Sequence, residues 1–371
     1  MRICKLCEIA KFKTGKLNSN ASKNEGRYPF FTCAPEPLKI DTYAFDTKAI
    51  ILAGNNAEGN FHIQYFEGKF NAYQRTYVIE TIDDTIVDIR YLFYALKMCL
   101  KHFKLISQGT ATKFLTAKIL NAFELPIPEI DLQQKLVSLL AAIDDKIEEN
   151  QKINENLEQQ AQAIFANEFL ALESLPDGWK RGSLIDIADY LNGLAMQKYR
   201  PAADEVGIPV LKIKELRQGC CDDTSEVCSP NIKTNYIIHD GDVIFSWSGS
   251  LLVDFWCGGI CGLNQHLFKV TSSVYDKWFY YAWTKHHLER FIAVAADKAT
   301  TMGHIKRDEL SKAEVLIPNK ADYNRIGSLL HPIYDLIITN RIESKKLAET
   351  RDTLLPKLMS GEIDISEVDY E

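Results

Sequence analysis

Glu124-Leu125-Pro126-Ile127-Pro128 recurs 190 residues further on as Glu314-Val315-Leu316-Ile317-Pro318. The same offset, carried on without a gap, sets Leu140, Ile143, Asp145, Ile147, Asn150 and Leu157 on Leu330, Ile333, Asp335, Ile337, Asn340 and Leu347. Carried backward, it sets Thr110, Leu115 and Leu120 on Thr300, Ile305 and Leu310. Small length changes preserve the match upstream. Asn71-Ala72-Tyr73-Gln74-Arg75 faces Gly262-Leu263-Asn264-Gln265-His266, Ala49-Ile50-Ile51-Leu52 faces Asp242-Val243-Ile244-Phe245, and Leu92-Phe93-Tyr94-Ala95-Leu96 faces Phe279-Tyr280-Tyr281-Ala282-Trp283. A fixed self-similarity of this kind decides the architecture before any local propensity does. The chain is two copies of one unit, each a globular part, an Ile-Pro stop and a long polar helix.

The helical runs, about residues 131–170 and 321–360, carry heptads. Leu136, Ile143, Asn150, Leu157 and Ile164 take a positions, with Leu140, Ile147, Asn154 and Ala161 at d. The second copy places Ile326, Ile333, Asn340, Leu347 and Leu354 at a, with Leu330, Ile337 and Ser344 at d. A seven-residue spacing held over four heptads signals a coiled coil rather than a globular stripe. Each helix would be ~60 Å long, with a seam too narrow to bury alone, so the two are expected to pair antiparallel. Ile143, Ile147, Leu157, Ile333, Ile337 and Leu347 would form the seam, and Asn150 and Asn340 would meet near its midpoint and fix register. A pseudo-twofold pair of heads at the two ends suits a DNA site of two half-sites.

The globular parts read as α+β: short β-rich runs (Ala49 to Leu52, Thr76 to Glu80, Asp242 to Phe245, Leu267 to Val270) between Gly, Asn and Asp punctuation. A helix is expected after them, near Val87–Phe103 and Tyr275–Ala293. The aromatic run Trp278 to Trp283 is assigned to its core. The domains are therefore a first head (1–128), a central helix (129–172), a second head (173–318) and a C-terminal helix (319–371).

Charge separates these parts. The chain of 371 residues carries 43 Lys and Arg against 50 Asp and Glu, a net of −7, which on its face argues against nucleic acid. The first head is nevertheless net +5, the central helix −6, and the second head and last helix −3 each. Phosphates need cations, so an acidic helix suits a protein partner while the heads meet DNA. Two loop clusters per head carry the side chains for that. In the first they are Gln74, Arg75 and Thr76, with Gln108, Thr110, Thr112 and Lys113 in the loop beginning at Ser107. In the second they are Asn264, Gln265 and His266, with Thr300, Thr301, His304 and Lys306, and Ser246 and Ser248 just past a predicted strand. Asn, Gln and Arg bond two atoms on one base edge, and Gly/Ser/Thr loops with a Lys suit phosphate.

Other chemistry is poorly supported. Nine cysteines, with Cys4-x2-Cys7 far from Cys220, Cys221, Cys228, Cys257 and Cys261, lack the paired spacing of a zinc site. They are read as reduced structural thiols, with no metal. No GxxxxGK[ST] loop, Asn/Asp-Pro-Pro-aromatic motif or spaced nuclease carboxylates occur. No apolar run of ~20 residues suggests a membrane span, and the opening residues lack a signal-peptide core, so a cytoplasmic chain is expected.

The pattern resembles the DNA specificity subunits of type I restriction-modification enzymes. Leu175-Pro176-Asp177-Gly178-Trp179 looks like the opening of a target recognition domain, and Asp240-Gly241-Asp242-Val243-Ile244-Phe245 and Asn264-Gln265-His266 look like its interior strand and loop. Leu157-Glu158-Gln159-Gln160-Ala161-Gln162-Ala163-Ile164-Phe165 looks like the central helix motif, and Arg351-Asp352-Thr353-Leu354-Leu355-Pro356-Lys357-Leu358-Met359-Ser360-Gly361-Glu362-Ile363 like the C-terminal one. The resemblance implies two target recognition domains reading a split double-stranded DNA site and helices that set the spacing. It also implies two docked methyltransferase subunits and a restriction endonuclease/translocase subunit. S-adenosylmethionine, ATP and Mg would belong to those partners, leaving no cofactor and no catalysis in this chain. The first head departs from the pattern: it lacks the Leu-Pro-x-Gly-Trp opening and carries Gln74-Arg75 where the second has Asn264-Gln265-His266. The competing reading is a coiled-coil structural adaptor without sequence readout.

Overall fold

The computed structural model describes residues 2–297 and 307–365. It divides into two compact units, Met1–Asp145 with Glu349–Glu371, and Lys146–Ala348. The boundary falls inside the two long helices, Ile130–Phe165 and Lys320–Ser360.

The first unit is built on a six-stranded sheet in the spatial order Ala10–Thr14, Thr76–Thr81, Phe45–Ala53, Ile63–Ala72, Tyr28–Phe31, Leu38–Ile40. All neighbours are antiparallel except Tyr28–Phe31, which runs parallel to the end of Ile63–Ala72 with Phe30 opposite Asn71. The central strand Phe45–Ala53 is apolar on consecutive positions because both faces are covered. Ile50 and Leu52 pack with Ile79 under the helix Ile89–Met98, while Ala49 and Ile51 pack with Phe31, Phe70 and Val78 on the other face. That helix starts where Asp88 accepts the amides of Arg90 and Tyr91 at 2.8 and 3.0 Å, a side-chain N-cap. A second, short sheet pairs Arg2–Lys5 with Glu124–Ile127, and the unit's helix segments contribute Leu136, Leu140, Leu355 and Leu358 to the core.

The second unit repeats this plan with one break. Asp189–Asn192, Leu267–Thr271, Val243–Ser246 and Leu252–Phe255 form an antiparallel sheet in the order of their first-unit counterparts. Phe245, Phe268 and Val270 pack beneath the helix Lys277–His286, whose Trp278, Phe279, Tyr281 and Trp283 are all core. The single strand Ile63–Ala72 has two counterparts here, Leu252–Phe255 and Cys261–Leu263. Between them Trp256 is fully buried and Gly258 lies against its indole, where a Cβ would overlap the ring. The chain turns away to seat that indole, so Cys261–Leu263 belongs to a separate four-stranded sheet with Ile208–Leu211 (parallel), Val227–Cys228 and Ile237–Ile238. The Ile-Pro strands behave identically: Ile127 faces Arg2 and Ile317 faces Lys180, each in an antiparallel pair of four residues.

Within the second unit the long helices run antiparallel. Asn340 Nδ2 donates to Asn154 Oδ1 (2.9 Å) and Asn154 Nδ2 to the Ile337 carbonyl (3.3 Å). Asn150 Nδ2 donates to Glu343 Oε2 (2.7 Å) and Ser344 Oγ (3.2 Å). This corrects the expected meeting of Asn150 with Asn340. In antiparallel helices an a residue faces a d residue, so each asparagine at a takes the polar d residue opposite it, Ser344 or Asn154. Of the other expected seam residues, Ile337 is buried and Ile143, Ile147, Leu157, Ile333 and Leu347 are half-buried. In the first unit Arg351 holds Asp144 at 2.5 Å, and Tyr94 donates to the same carboxylate at 2.6 Å.

Candidate nucleic-acid interface

The turns at the centre of each head share one backbone. Tyr73 N donates to Phe31 O (2.8 Å), and Thr76 N to Tyr73 O (2.9 Å). In the second head Asn264 N donates to Leu211 O (3.2 Å), and Leu267 N to Asn264 O (3.0 Å). A parallel bridge joins Leu17 to Tyr73 and Leu194 to Asn264. Gly15 and Gly193 stand beside these turns, and a Cβ on either would overlap the carbonyl of Ala72 or Asn264. Glycine is needed at both for the backbones to approach. Gln74 therefore corresponds to Gln265, and Arg75 to His266.

In the first head Gln74 and Arg75 are exposed. Gln74 Nε2 donates to Asn18 Oδ1 at 2.8 Å, and the Arg75 guanidinium lies over the Phe114 ring, 5.5 Å from its centroid. Thr76 is buried, with its hydroxyl 3.8 Å from Cys33 Sγ, and presents nothing to a groove. The loop of Gln108, Thr110, Thr112 and Lys113 is closed by reciprocal backbone bonds between Gln108 and Phe114, 3.0 and 2.8 Å. Gly109 turns it at φ +106°. Gln108 and Thr110 are exposed, and Thr112 and Lys113 half-exposed. The strand pair Asn55–Asn56 with Lys113–Phe114 carries this loop to the Gln74–Arg75 turn, so the two clusters of the first head meet. The Gln74–Arg75 turn borders a cleft of about 440 Å³ lined also by Thr14, Tyr77, Phe114 and Thr116, while Gln108, Thr110, Thr112 and Lys113 lie outside its lining.

In the second head Asn264 is buried and its Oδ1 accepts the His266 amide at 3.2 Å. It shapes the turn from inside. His266 Nδ1 lies 3.1 Å from Ser248 Oγ, and its ring sits beside Trp247. Ser246 is fully buried, donating to the Ser250 carbonyl (2.9 Å). Trp247 Nε1 donates to Asn192 Oδ1 at 3.0 Å. Gln265 is half-exposed, with a buried Oε1 that has no hydrogen-bond partner. The turn borders a cleft of about 520 Å³ lined also by Gln197, Arg200, Lys212, Lys214 and Glu226. Glu226 holds Lys212 at 2.6 Å and Arg200 at 3.6 Å; the two cations, Lys212 above all, keep its carboxyl below the usual carboxylate range. Thr300, Thr301, His304 and Lys306 lie outside the described residues.

Thr14, Tyr77 and Phe114 in the first head, and Asn192, Gln197, Arg200, Lys212, Lys214, Glu226 and Trp247 in the second, were missed by sequence reasoning. The recurrence of a polar residue before glycine, Thr14-Gly15 and Asn192-Gly193, was a signal for Thr14 and Asn192 alone. The net acidic second head gathers Arg200, Lys212 and Lys214 at one mouth, Arg200 and Lys212 paired with Glu226 and Lys214 with Asp222 at 3.1 Å. The nine cysteines are free thiols, and no metal-binding cluster of His, Cys, Asp or Glu occurs among the described residues. No described helix is long and apolar enough to cross a membrane.

A family model described as the type I restriction modification DNA specificity domain matches residues 1–159 and again residues 176–349. Among curated proteins, the type I restriction enzyme MjaIX specificity subunit of Methanocaldococcus jannaschii is 27% identical over 311 residues, covering 77% of this chain and 71% of its own length. The EcoDI specificity subunit of Escherichia coli is 37% identical over 163 residues, 43% of this chain and 35% of that one. A solved structure, the type I restriction-modification system S subunit from M. genitalium, has a TM-score of 0.59 at 15% identity, covering 96% of this chain and 95% of that one. That last likeness is one of fold.

Proposed function

The chain belongs to the type I restriction-modification DNA specificity family, and from that premise we propose that its two heads read the two halves of a split DNA target through the turns at Gln74–Arg75 and Gln265–His266. The observation that carries this reading is the equivalence of those turns. Two copies of one backbone, each fixed by the same hydrogen bonds and a close-packed glycine, present polar side chains at the mouth of a cleft. A purely structural adaptor has no need of such a pair. Side chains in such clefts read base edges, while Lys113, Lys212 and Lys214 hold the backbone.

The chain is a specificity subunit that does no chemistry of its own. Methyltransferase subunits, two of them, dock on the acidic long helices and bring S-adenosylmethionine, and they flip the base they modify. A restriction subunit brings ATP and Mg. The helices set the distance between half-sites. Support for the docking face comes from charge: the central helix segment is the most acidic part of the chain and repels phosphate.

The test is co-expression with the cognate methyltransferase, followed by mapping of methylated adenines. A bipartite site is expected. Paired substitution of Gln74 and Arg75 by alanine shifts the preference in one half, and that of Gln265 and His266 the preference in the other. Unaltered preference in both cases removes these turns from the readout.

A further inference from the structure

Although the two turns share a backbone, they carry different chemistry. Arg75 is exposed, and among the described residues no carboxylate lies within ion-pair distance of it. Its cleft is lined by no acidic side chain and no lysine, so the guanidinium is the sole formal charge there. The side chain is held all the same. Its backbone carbonyl accepts from Gly54 N at 2.9 Å, and its guanidinium rests on the Phe114 ring. A guanidinium has five donors in a rigid planar fork and no acceptor. Lying over an aromatic face, 5.5 Å from its centroid, the guanidinium is biased toward that side of the cleft before any ligand arrives.

We propose that Arg75 is the specificity-determining residue of the first head and that it reads a guanine in the half-site taken by that head; this rests on the DNA-reading function proposed above. In the major groove guanine sets two acceptors, O6 and N7, side by side, and the fork matches them with two parallel bonds. Adenine offers a donor at N6 next to N7, and cytosine a donor at N4, so both turn a donor against a donor. A phosphate also accepts a guanidinium fork. The base is favoured because this guanidinium lies against a ring in a cleft beside the amide of Gln74, while Lys113, next in sequence to Phe114, and Lys104, whose stem lies with that of Lys113 against Gly59, are left outside the cleft to meet phosphates. The second head differs at the equivalent position. His266 is tied to Ser248, and its cleft contains the Glu226 carboxylate, an acceptor between Arg200 and Lys212. The guanine is therefore specific to the first head's half of an asymmetric target.

The experiment uses the full chain assembled with its methyltransferase subunits. Methylated sites are mapped for the wild type, Arg75→Gln, Arg75→Ala and, as control, Gln265→Ala, with melting temperatures checking that each variant folds. Both Arg75 variants are expected to relax the requirement for guanine at one position of one half-site by about 5- to 100-fold, leaving the other half-site unchanged. A uniform loss across all sequences, with the salt dependence of DNA binding reduced by about one charge, makes Arg75 a phosphate contact and overturns the proposal. Relaxation at a position that is not guanine overturns it too. If Gln265→Ala shifts its half-site while the Arg75 variants shift nothing, the reading turns stand and Arg75 alone is rejected. If no variant shifts any preference, both this proposal and the function beneath it fall.

Discussion

His287 is buried in the second unit, its Nε2 2.8 Å from the Glu314 carbonyl and its ring stacked on Trp283. A carbonyl partner requires Nε2 to donate. Burial, more than the neighbouring His286 or Arg290, pushes the imidazole pKa from 6.5 down to about 4. The unfolded chain thus binds a proton that the folded chain refuses. Stability is full above pH 6.5, falls as pH drops through that value, and the loss is complete near pH 4, amounting to about 1–2 kcal/mol after allowance for solvent screening. His287→Gln, which keeps a donor without the titration, should be less stable than wild type at pH 7.5, with the gap shrinking by about that amount at pH 4.5. Urea unfolding at the two pH values measures it; a gap independent of pH rejects the assignment. Asparagine behaves differently at this scale. Asn340 donates to Asn154, which passes its own amide to the Ile337 carbonyl, whereas Asn150 spends its amide on Glu343 and Ser344 and leaves Oδ1 unbonded. The antiparallel direction was expected from sequence; the partners differ from expectation because an a position then faces a d position of the other helix and not its a position.

At the scale of elements, each long helix is tied to its head within its first turn, three residues after its first residue. Gln133 is fully buried. Its Oε1 accepts the amide of Asp88 (2.9 Å), the N-cap of the helix Ile89–Met98, and its Nε2 donates to the carbonyls of Ile86 (2.9 Å) and Pro128 (2.8 Å). The residue 190 positions on is Tyr323, whose hydroxyl accepts the amide of Asp276 at 2.7 Å, the N-cap of Lys277–His286. One joint is made twice with unlike side chains, which is why the repeat is faint there in sequence. Gln133→Ala leaves an amide and two carbonyls without partners in a buried place. It should cost about 2–4 kcal/mol, read as a lower urea midpoint, and a loss below about 0.5 kcal/mol would show that water replaces the amide. The strands were legible where both faces are apolar, as at Ala49 to Leu52. The break between Leu252–Phe255 and Cys261–Leu263 was not, because it follows from seating the Trp256 indole, a packing event among residues distant in sequence.

For the whole molecule, the two helices contribute to both units, the first taking residues up to Asp145 and from Glu349, the second the stretch between. A ruler role therefore predicts that length matters more than composition. Seven residues, one heptad, inserted near Asn150, with a matching insertion in the other helix near Ser344, keep the seam in phase. The tolerated spacing between half-sites should change while the half-site sequences stay the same, as mapped by methylation. Unchanged spacing counts against the ruler.

The sequence alone determined the repeat, the α+β heads, the long helices and the family, because these are written as periodicities and motifs along one chain. It also placed Gln74, Arg75, Gln265 and His266 on equivalent turns. Only the tertiary structure decided which of the candidate readers face solvent. Thr76, Ser246, Ser248 and Asn264 are buried, since a polar residue at or just past a strand end looks the same in sequence whether it points outward or caps a turn from within. The clefts, too, belong to the fold alone. Arg75 meets Phe114, and Lys212 meets Glu226 beside His266, only when strands far apart in the chain are brought edge to edge by hydrogen bonds and the burial of apolar faces.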